Sequence, residues 1–149
     1  MRKKKILAGI DEVGRGCLAG PVVSAAVILK KGIDLKLLKD SKSISFKQRE
    51  KISNHIKLNS YYTIGLASVS EIFDLNILYA SLLSMKRAID KLPIKPDQIL
   101  IDGNFSPSGI KNCKTIIDGD KKIKVISAAS IIAKNFRDRL MIKLAEKFS

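Results

Sequence analysis

The feature that most constrains this chain is an apolar segment near the N-terminus that runs directly into two adjacent carboxylates. Ile6–Ile10 is followed by Asp11 and Glu12, and then by the glycine-flanked arginine of Gly14–Gly16. Burying an ionised carboxylate is costly unless it is paired or bound to a metal. The end of this segment is therefore predicted to be a cation site. The neighbouring glycines and arginine offer backbone N–H groups and a positive charge to a phosphate-bearing ligand.

Patterns of apolar residues along the chain predict a mixed α/β sheet flanked by helices. We assign five strands, at Lys5–Asp11, Val22–Leu29, Tyr61–Ser68, Gln98–Asp102 and Thr115–Ile117. We assign three helices, from a capping box at Ser45 and Gln48 to about Lys57, along the apolar stripe Leu75–Leu92, and over Ser127–Phe148. Three successive strands followed by alternating helix and strand indicate the α/β class.

The chain is strongly basic. It carries 28 Lys and Arg residues against 14 Asp and Glu residues, a net charge of +14. Such a charge has two explanations: compositional drift in a lysine-rich chain, or a polyanionic partner whose phosphates it attracts. The basic residues lie along the whole chain rather than in one tail. This distribution favours a broad nucleic-acid-binding face.

Neither a membrane span nor an export signal is predicted. No apolar run approaches the roughly 20 residues that cross a bilayer. The basic N-terminus is followed by an apolar segment too short for a signal peptide. Cys17 and Cys113 fit no metal-binding spacing and are expected to be reduced packing residues. We expect the protein to stay in the cytoplasm and to act as a monomer with no membrane partner.

Further carboxylates occupy positions like that of Asp11. Asp102 ends another apolar run beside a glycine, and Asp118 and Asp120 follow a third, where context alone does not choose between them. Ligand sites in open α/β sheets gather where strands end. Glu12 can join Asp11 only if the strand ends there or the backbone turns, since neighbouring strand residues point to opposite faces. The alternative role for any single aspartate here is a turn or a helix cap.

Converging carboxylates are oxygen ligands for hard divalent cations such as Mg²⁺. Two such ions about 3.5–4 Å apart can activate a water and stabilise the leaving oxygen of a phosphodiester. A basic chain with an acidic centre fits that chemistry. The only histidine, His55, lies in a lysine-rich helix and is expected near the surface, which gives nucleophilic catalysis little support. Asp138, between Arg137 and Arg139, is expected to form an ion pair rather than to bind metal.

Taken in order, several blocks of this sequence resemble ribonuclease HII, the type 2 ribonuclease H family. The matching blocks are Gly9–Gly16, Leu18–Val22, Asp40–Lys42, Ile101–Asn104, Gly119-Asp120, Ile126–Ile131, Ala133-Lys134 and Arg137–Met141. They cover nearly the whole chain, from about Ile6 to Met141. The resemblance implies a ribonuclease H-like fold, in which a mixed sheet is flanked by helices.

The resemblance also implies roles for individual residues. Four carboxylates become catalytic residues and ligands of Mg²⁺ or Mn²⁺: Asp11, Glu12, Asp102 and Asp120. The choice left open above thus falls on Asp120, and Asp118 becomes a loop residue. The element that recognises the ribonucleotide 2′-hydroxyl, the group that distinguishes RNA from DNA, is Gly14, Arg15 and Gly16. Lys42 and Lys134 are candidate phosphate contacts, each weighed against an ordinary solvated lysine.

The implied reaction is hydrolysis of the phosphodiester on the 5′ side of a ribonucleotide, leaving a 3′-hydroxyl and a 5′-phosphate. The implied partners are RNA/DNA hybrids and duplex DNA with embedded ribonucleotides, as in ribonucleotide excision repair. The family typically continues into a segment whose tyrosine stacks at the RNA–DNA junction, whereas this sequence stops at Ser149. We therefore expect a single catalytic domain, residues 1–149, truncated at its C-terminus relative to the family. The alternative is a non-catalytic module that binds hybrid duplex without turnover.

Overall fold

A five-stranded mixed sheet organises the computed structural model, which describes residues 4–15, 20–38 and 43–148. The strands are β1 (Leu7–Val13), β2 (Val22–Leu29), β3 (Ser60–Ala67), β4 (Gln98–Asp102) and β5 (Cys113–Ile116), in the spatial order β3-β2-β1-β4-β5. The first three strands form an antiparallel meander, and β4 and β5 run parallel to β1. The sheet confirms the predicted α/β class.

Within the described residues, five helices pack around the sheet: α1 (Phe46–Leu58), α2 (Val69–Leu75), α3 (Ile77–Asp90), α4 (Gly119–Lys122) and α5 (Lys124–Phe148). A short 3₁₀ helix, Leu35–Leu37, precedes α1. The predicted capping box of α1 is present, with the Ser45 hydroxyl accepting from the Gln48 N–H and the Gln48 side chain accepting from the Ser45 N–H. No helix within the described ranges is both long and apolar enough to cross a membrane.

The helix predicted along Leu75–Leu92 is present as α3, but it begins at Ile77 because the chain breaks at Asn76, and Leu75 belongs to α2. Asn76 has a φ of 71°, ends α2 and caps α3 by accepting a hydrogen bond from the Tyr79 N–H. The stripe is therefore only partly core. Met85 is buried at 3% exposure, whereas Leu75 is 41% exposed.

The two faces of the sheet bury different helices because successive strand residues point to opposite sides. Val23, Ala25 and Val27 of β2 pack against α5 and α1, whereas Ala26 and Ile28 pack against α3. On β1, Gly9 lies directly beneath α5, and a side chain there would collide with the Val125 backbone. This close approach places the start of α5 directly over β1.

The strand register sets two carboxylates side by side. Ile10 of β1 pairs with Ile101 of parallel β4, so that Asp11 and Asp102 follow at the same level of the sheet. β1 does not stop at Asp11 as predicted. It continues to Val13 because its ladder with β2 extends to the pair Val13 and Val23.

Candidate active site

Three carboxylates converge at the end of the sheet. One oxygen from each of Asp11, Asp102 and Asp120 lies within 4.8 Å of the others. Asp11 comes from β1, Asp102 from the last position of β4, and Asp120 from α4, which follows β5. The parallel order of β1, β4 and β5 brings these three chain segments to one edge, although they are far apart in sequence.

Local hydrogen bonds orient two of these carboxylates. Asp11 accepts from the Glu12 N–H at 2.8 Å and from the hydroxyl of Ser130 on α5. Asp102 accepts from the Gly119 N–H at 2.7 Å. Gly119 is buried, and a Cβ there would lie 2.7 Å from Ile126 and 3.4 Å from the Asp102 carboxylate. The absence of a side chain therefore lets α4 approach β4 closely enough to present Asp120.

Glu12 reaches the same cleft although it lies inside a continuous strand. Pleating directs its side chain away from that of Asp11. Glu12 nevertheless lines the cleft, beyond the point where β4 ends at Asp102. Its carboxylate lies 3.6 Å from the Arg15 guanidinium. The structure thus brings Glu12 to the edge of the cluster without a turn in the strand.

Burial and mutual repulsion act on these carboxylates together. Burial raises the pKa of Asp11 well above its usual range, and the charges of Asp102 and Glu12 raise it further. The pKa of Glu12 is also raised, mainly by burial. The positive charge of Arg15 opposes this increase, and the negative charge of Asp102 adds to it. A divalent cation among these oxygens would offset both effects, because it replaces lost hydration and neutralises the repulsion. The set of hard oxygen donors fits Mg²⁺ or Mn²⁺.

The carboxylates line a cleft of about 530 Å³ that also contains cationic groups. We call this cavity the acidic cleft; its other polar lining residues are Arg49, Asp118, Ser130 and Lys134. Asp118 has a left-handed backbone with a φ of 54° and lies outside the cluster of three. The cleft therefore combines a buried negative centre with positive charge on its wall.

The ion pair predicted for Asp138 is confirmed, although its partners differ from its sequence neighbours. Asp138 accepts from Arg49 at 2.7 Å and lies 3.4 Å from Lys134. Residues four apart on a helix share a face, whereas adjacent residues do not. Arg139 instead pairs with Glu50. Lys134, held by Asp138, lines the acidic cleft, and its side chain is 41% exposed.

Some of the remaining predicted residues lie in the described part of the chain, and others do not. Gly14 is buried with a φ of 103°, and the side chain of Arg15 is 43% exposed. Gly16, Cys17 and Lys42 lie outside the described residues. His55 is half-buried and accepts a hydrogen bond from the Asp34 N–H.

Sequence reasoning did not assign site roles to Ser130, Arg49 or Gly119. Ser130 and Lys134 are four residues apart on α5, which is a usable signal that both face the same cleft. Arg49 enters the cleft from α1, and nothing in the local sequence indicates which tertiary neighbour it meets. Gly119 is recognisable only once the distance between α4 and β4 is known.

The mixed sheet with helices on both faces and carboxylates at one edge defines the class of ribonuclease H-like nucleases. Residues 8–149 match the sequence model of the family described as ribonuclease HII. The chain therefore belongs to the ribonuclease HII family, whose members are metal-dependent endoribonucleases.

Individual relatives agree with this family. The chain is 58% identical over 147 residues to a ribonuclease HII of Pelagibacter ubique, covering 97% of this chain and 78% of that relative. The crystal structure of ribonuclease H2 from Pyrococcus horikoshii superposes with a TM-score of 0.81 at 32% identity, covering 95% of this chain and 76% of that one. Bst-RNase HIII in complex with Mn²⁺ shares the fold, with a TM-score of 0.76 at 20% identity, over 96% of this chain and 55% of that one.

Proposed function

We propose that this chain hydrolyses the phosphodiester on the 5′ side of a ribonucleotide in an RNA/DNA hybrid or in duplex DNA. The products are a 3′-hydroxyl and a 5′-phosphate. The observation that carries the proposal is the convergence of Asp11, Asp102 and Asp120 within 4.8 Å in a chain with a net charge of +14. An acidic centre inside a basic protein suits a polyanionic substrate held against divalent cations.

Asp11, Asp102 and Asp120 are the residues that would hold Mg²⁺ or Mn²⁺, with Glu12 at the edge of the same cluster. Bound ions of this kind supply Lewis-acid stabilisation and lower the pKa of a bound water. The Mn²⁺ complex of Bst-RNase HIII, which shares this fold, supports the choice of cation class. Ser130 and the Gly119 N–H keep the Asp11 and Asp102 carboxylates oriented inward.

The cationic wall of the acidic cleft suits the phosphate backbone. Lys134 is partly exposed there and is held by Asp138, which also fixes Arg49. A tethered lysine loses little rotamer freedom when a phosphate arrives, so the pairing with Asp138 prepares Lys134 for that contact. Lys42 remains a second candidate phosphate contact.

Recognition of the ribonucleotide is assigned to Gly14, Arg15 and Gly16. The backbone at Gly14 has a φ of 103°, a conformation that glycine adopts without strain and that carries the chain from β1 towards Arg15. A 2′-hydroxyl both donates and accepts hydrogen bonds, so backbone groups suffice to read it. Glu12 positions Arg15, three residues further along the chain, through their contact at 3.6 Å.

The direct test is incubation with duplex DNA carrying one ribonucleotide, with Mg²⁺ or Mn²⁺. We expect a single cut on the 5′ side of that ribonucleotide and no cut in the matching all-DNA duplex. Asp102→Asn should abolish the cut because it removes a ligand charge. Asp118→Asn should retain most of it because Asp118 lies outside the cluster. Binding of the duplex without any cut by the unmodified chain would favour the non-catalytic module instead.

The proposal includes a cellular role: the protein acts as a monomer in the cytoplasm, in ribonucleotide excision repair. Sedimentation of the purified chain would check the oligomeric state. A strain lacking the gene should accumulate alkali-sensitive sites in its DNA, because embedded ribonucleotides are cleaved by base.

A further inference from the structure

A buried arginine on α5 supports the connection between β1 and β2. Arg137 is only 6% exposed, and its Nε donates a hydrogen bond to the Pro21 carbonyl oxygen at 3.1 Å. A guanidinium is costly to bury unless its donors are satisfied, so a buried arginine is tied closely to its acceptors. Pro21 immediately precedes β2, which places this contact at the far end of the connection.

Two glycines make room for the Arg137 side chain. A Cβ on Gly14 would lie 2.5 Å from Nε of Arg137, and a Cβ on Gly20 would lie 3.2 Å from its NH2 atom. The φ angles are 103° at Gly14 and 126° at Gly20, values that side chains disfavour. The guanidinium therefore packs against the bare Cα atoms at both described ends of the connection. A side chain on Gly14 would displace the guanidinium, whereas one on Gly20 would first meet Sδ of Met141 at 2.6 Å.

The position of Gly14 links this contact to the site. Gly14 precedes Arg15, which contacts Glu12 at the edge of the acidic cleft. We propose that Arg137 is a positioning residue that fixes the backbone around Gly14 and Arg15 for recognition of the ribonucleotide. The inference rests on the proposed function, since it assigns Arg137 to the recognition element named there. Arg137 acts through its contact with Gly14 and not by touching substrate.

The first measurement compares two dissociation constants, for duplex DNA with one ribonucleotide and for the same duplex without it, both in Ca²⁺. The ratio of the two constants reports recognition of the 2′-hydroxyl, independently of general folding or phosphate binding. Arg137→Met should reduce this ratio about tenfold, the effect of one charge-assisted hydrogen bond. Arg137→Lys should also reduce it, because lysine lacks the planar fork that fits between the glycines. Arg139→Met is the matched control, since Arg139 pairs with Glu50 elsewhere on α5.

The second measurement does not depend on substrate. Trypsin cleaves after Arg15, and the rate of that cleavage reports how firmly the backbone there is held. Trypsin should cut Arg137→Met and Arg137→Lys at Arg15 about tenfold faster than the unmodified chain. Loss of one hydrogen bond lowers the free energy of local opening, and the cleavage rate follows the population of the open form. Arg139→Met should be cut at the unmodified rate.

The two measurements separate the possible failures. A chain that shows no preference for the ribonucleotide duplex would contradict the proposed function, and digestion would still decide the role of Arg137. Folded Arg137 variants that keep the full binding ratio, or that are digested at the control rate, would overturn the positioning role. Thermal unfolding identifies the folded variants, and Arg137→Lys serves if Arg137→Met does not fold.

Discussion

Asp11 combines a buried position with a proposed role that requires an ionised carboxylate, which lowers the stability of the metal-free fold. Its pKa is raised by burial and by the neighbouring charges of Asp102 and Glu12. The folded state therefore binds this proton more tightly than the unfolded chain does. In the absence of metal, this contribution reduces the free energy of unfolding as pH rises from about 4 through the raised pKa. Glu12 acts in the same direction.

We therefore expect Asp11→Asn to raise the melting temperature of the metal-free protein at pH 7, by about 2–4 °C for a domain of this size. The advantage over the unmodified chain should shrink at pH 4, where Asp11 is protonated. Thermal unfolding followed by circular dichroism, with chelator present, measures both values. Asp90→Asn, on the exposed end of α3, is the control. A lower melting temperature for Asp11→Asn than for the unmodified chain at pH 7 would contradict the burial argument.

Single residues also show where sequence patterns stop being informative. Asp118 and Asp120 have the same local context, because each follows the same strand. What separates them is the left-handed backbone at Asp118, which starts α4 and leaves Asp120 facing Asp102. Strand alternation predicted that Glu12 would join Asp11 only if the strand ended there or the backbone turned. The structure places Glu12 in the lining of the cleft while β1 continues past it to Val13.

At the level of elements, the break between α2 and α3 is the main departure from the predicted pattern. Apolar residues continue at spacings of three and four across Asn76, so periodicity alone does not reveal the break. Asn76 has a φ of 71° and a ψ of 169°, a region that favours glycine strongly. Strand positions were easier to predict, because β2 is apolar except at Ser24 and β4 has an apolar centre, Ile99–Ile101.

Substitutions at Asn76 should separate backbone strain from capping. Asn76→Ala keeps the strained conformation and loses the cap to the Tyr79 N–H, so we expect it to lower the free energy of unfolding by about 1–2 kcal/mol. Asn76→Gly relieves the strain while losing the cap, so it should change stability by less than about 0.5 kcal/mol. Urea unfolding of both variants gives these values. Equal losses in the two variants would show that the cap, and not the backbone, determines stability here.

For the whole molecule, the distribution of charge determines how substrate approaches. A net charge of +14 attracts nucleic acid from all sides, whereas the acidic cleft repels phosphate until its carboxylates are neutralised. The sequence predicted both the basic surface and the acidic centre. Lys134 was a candidate phosphate contact, but the sequence did not predict that α1 would place Arg49 on the wall of that centre, because this depends on tertiary packing.

This arrangement predicts that binding of an RNA/DNA hybrid depends on both salt and divalent cations, and one binding experiment can measure both. The dissociation constant for an RNA/DNA hybrid should rise at least about tenfold between 50 and 200 mM salt, because several phosphates release counterions on binding. At fixed salt, Ca²⁺ should tighten binding by the unmodified chain, since it converts the cleft from repulsive to attractive, and should do so much less for Asp102→Asn. Fluorescence anisotropy with a labelled hybrid gives both. A non-catalytic module would show the salt dependence without the Ca²⁺ effect, so the cation response decides whether the cleft takes part in binding.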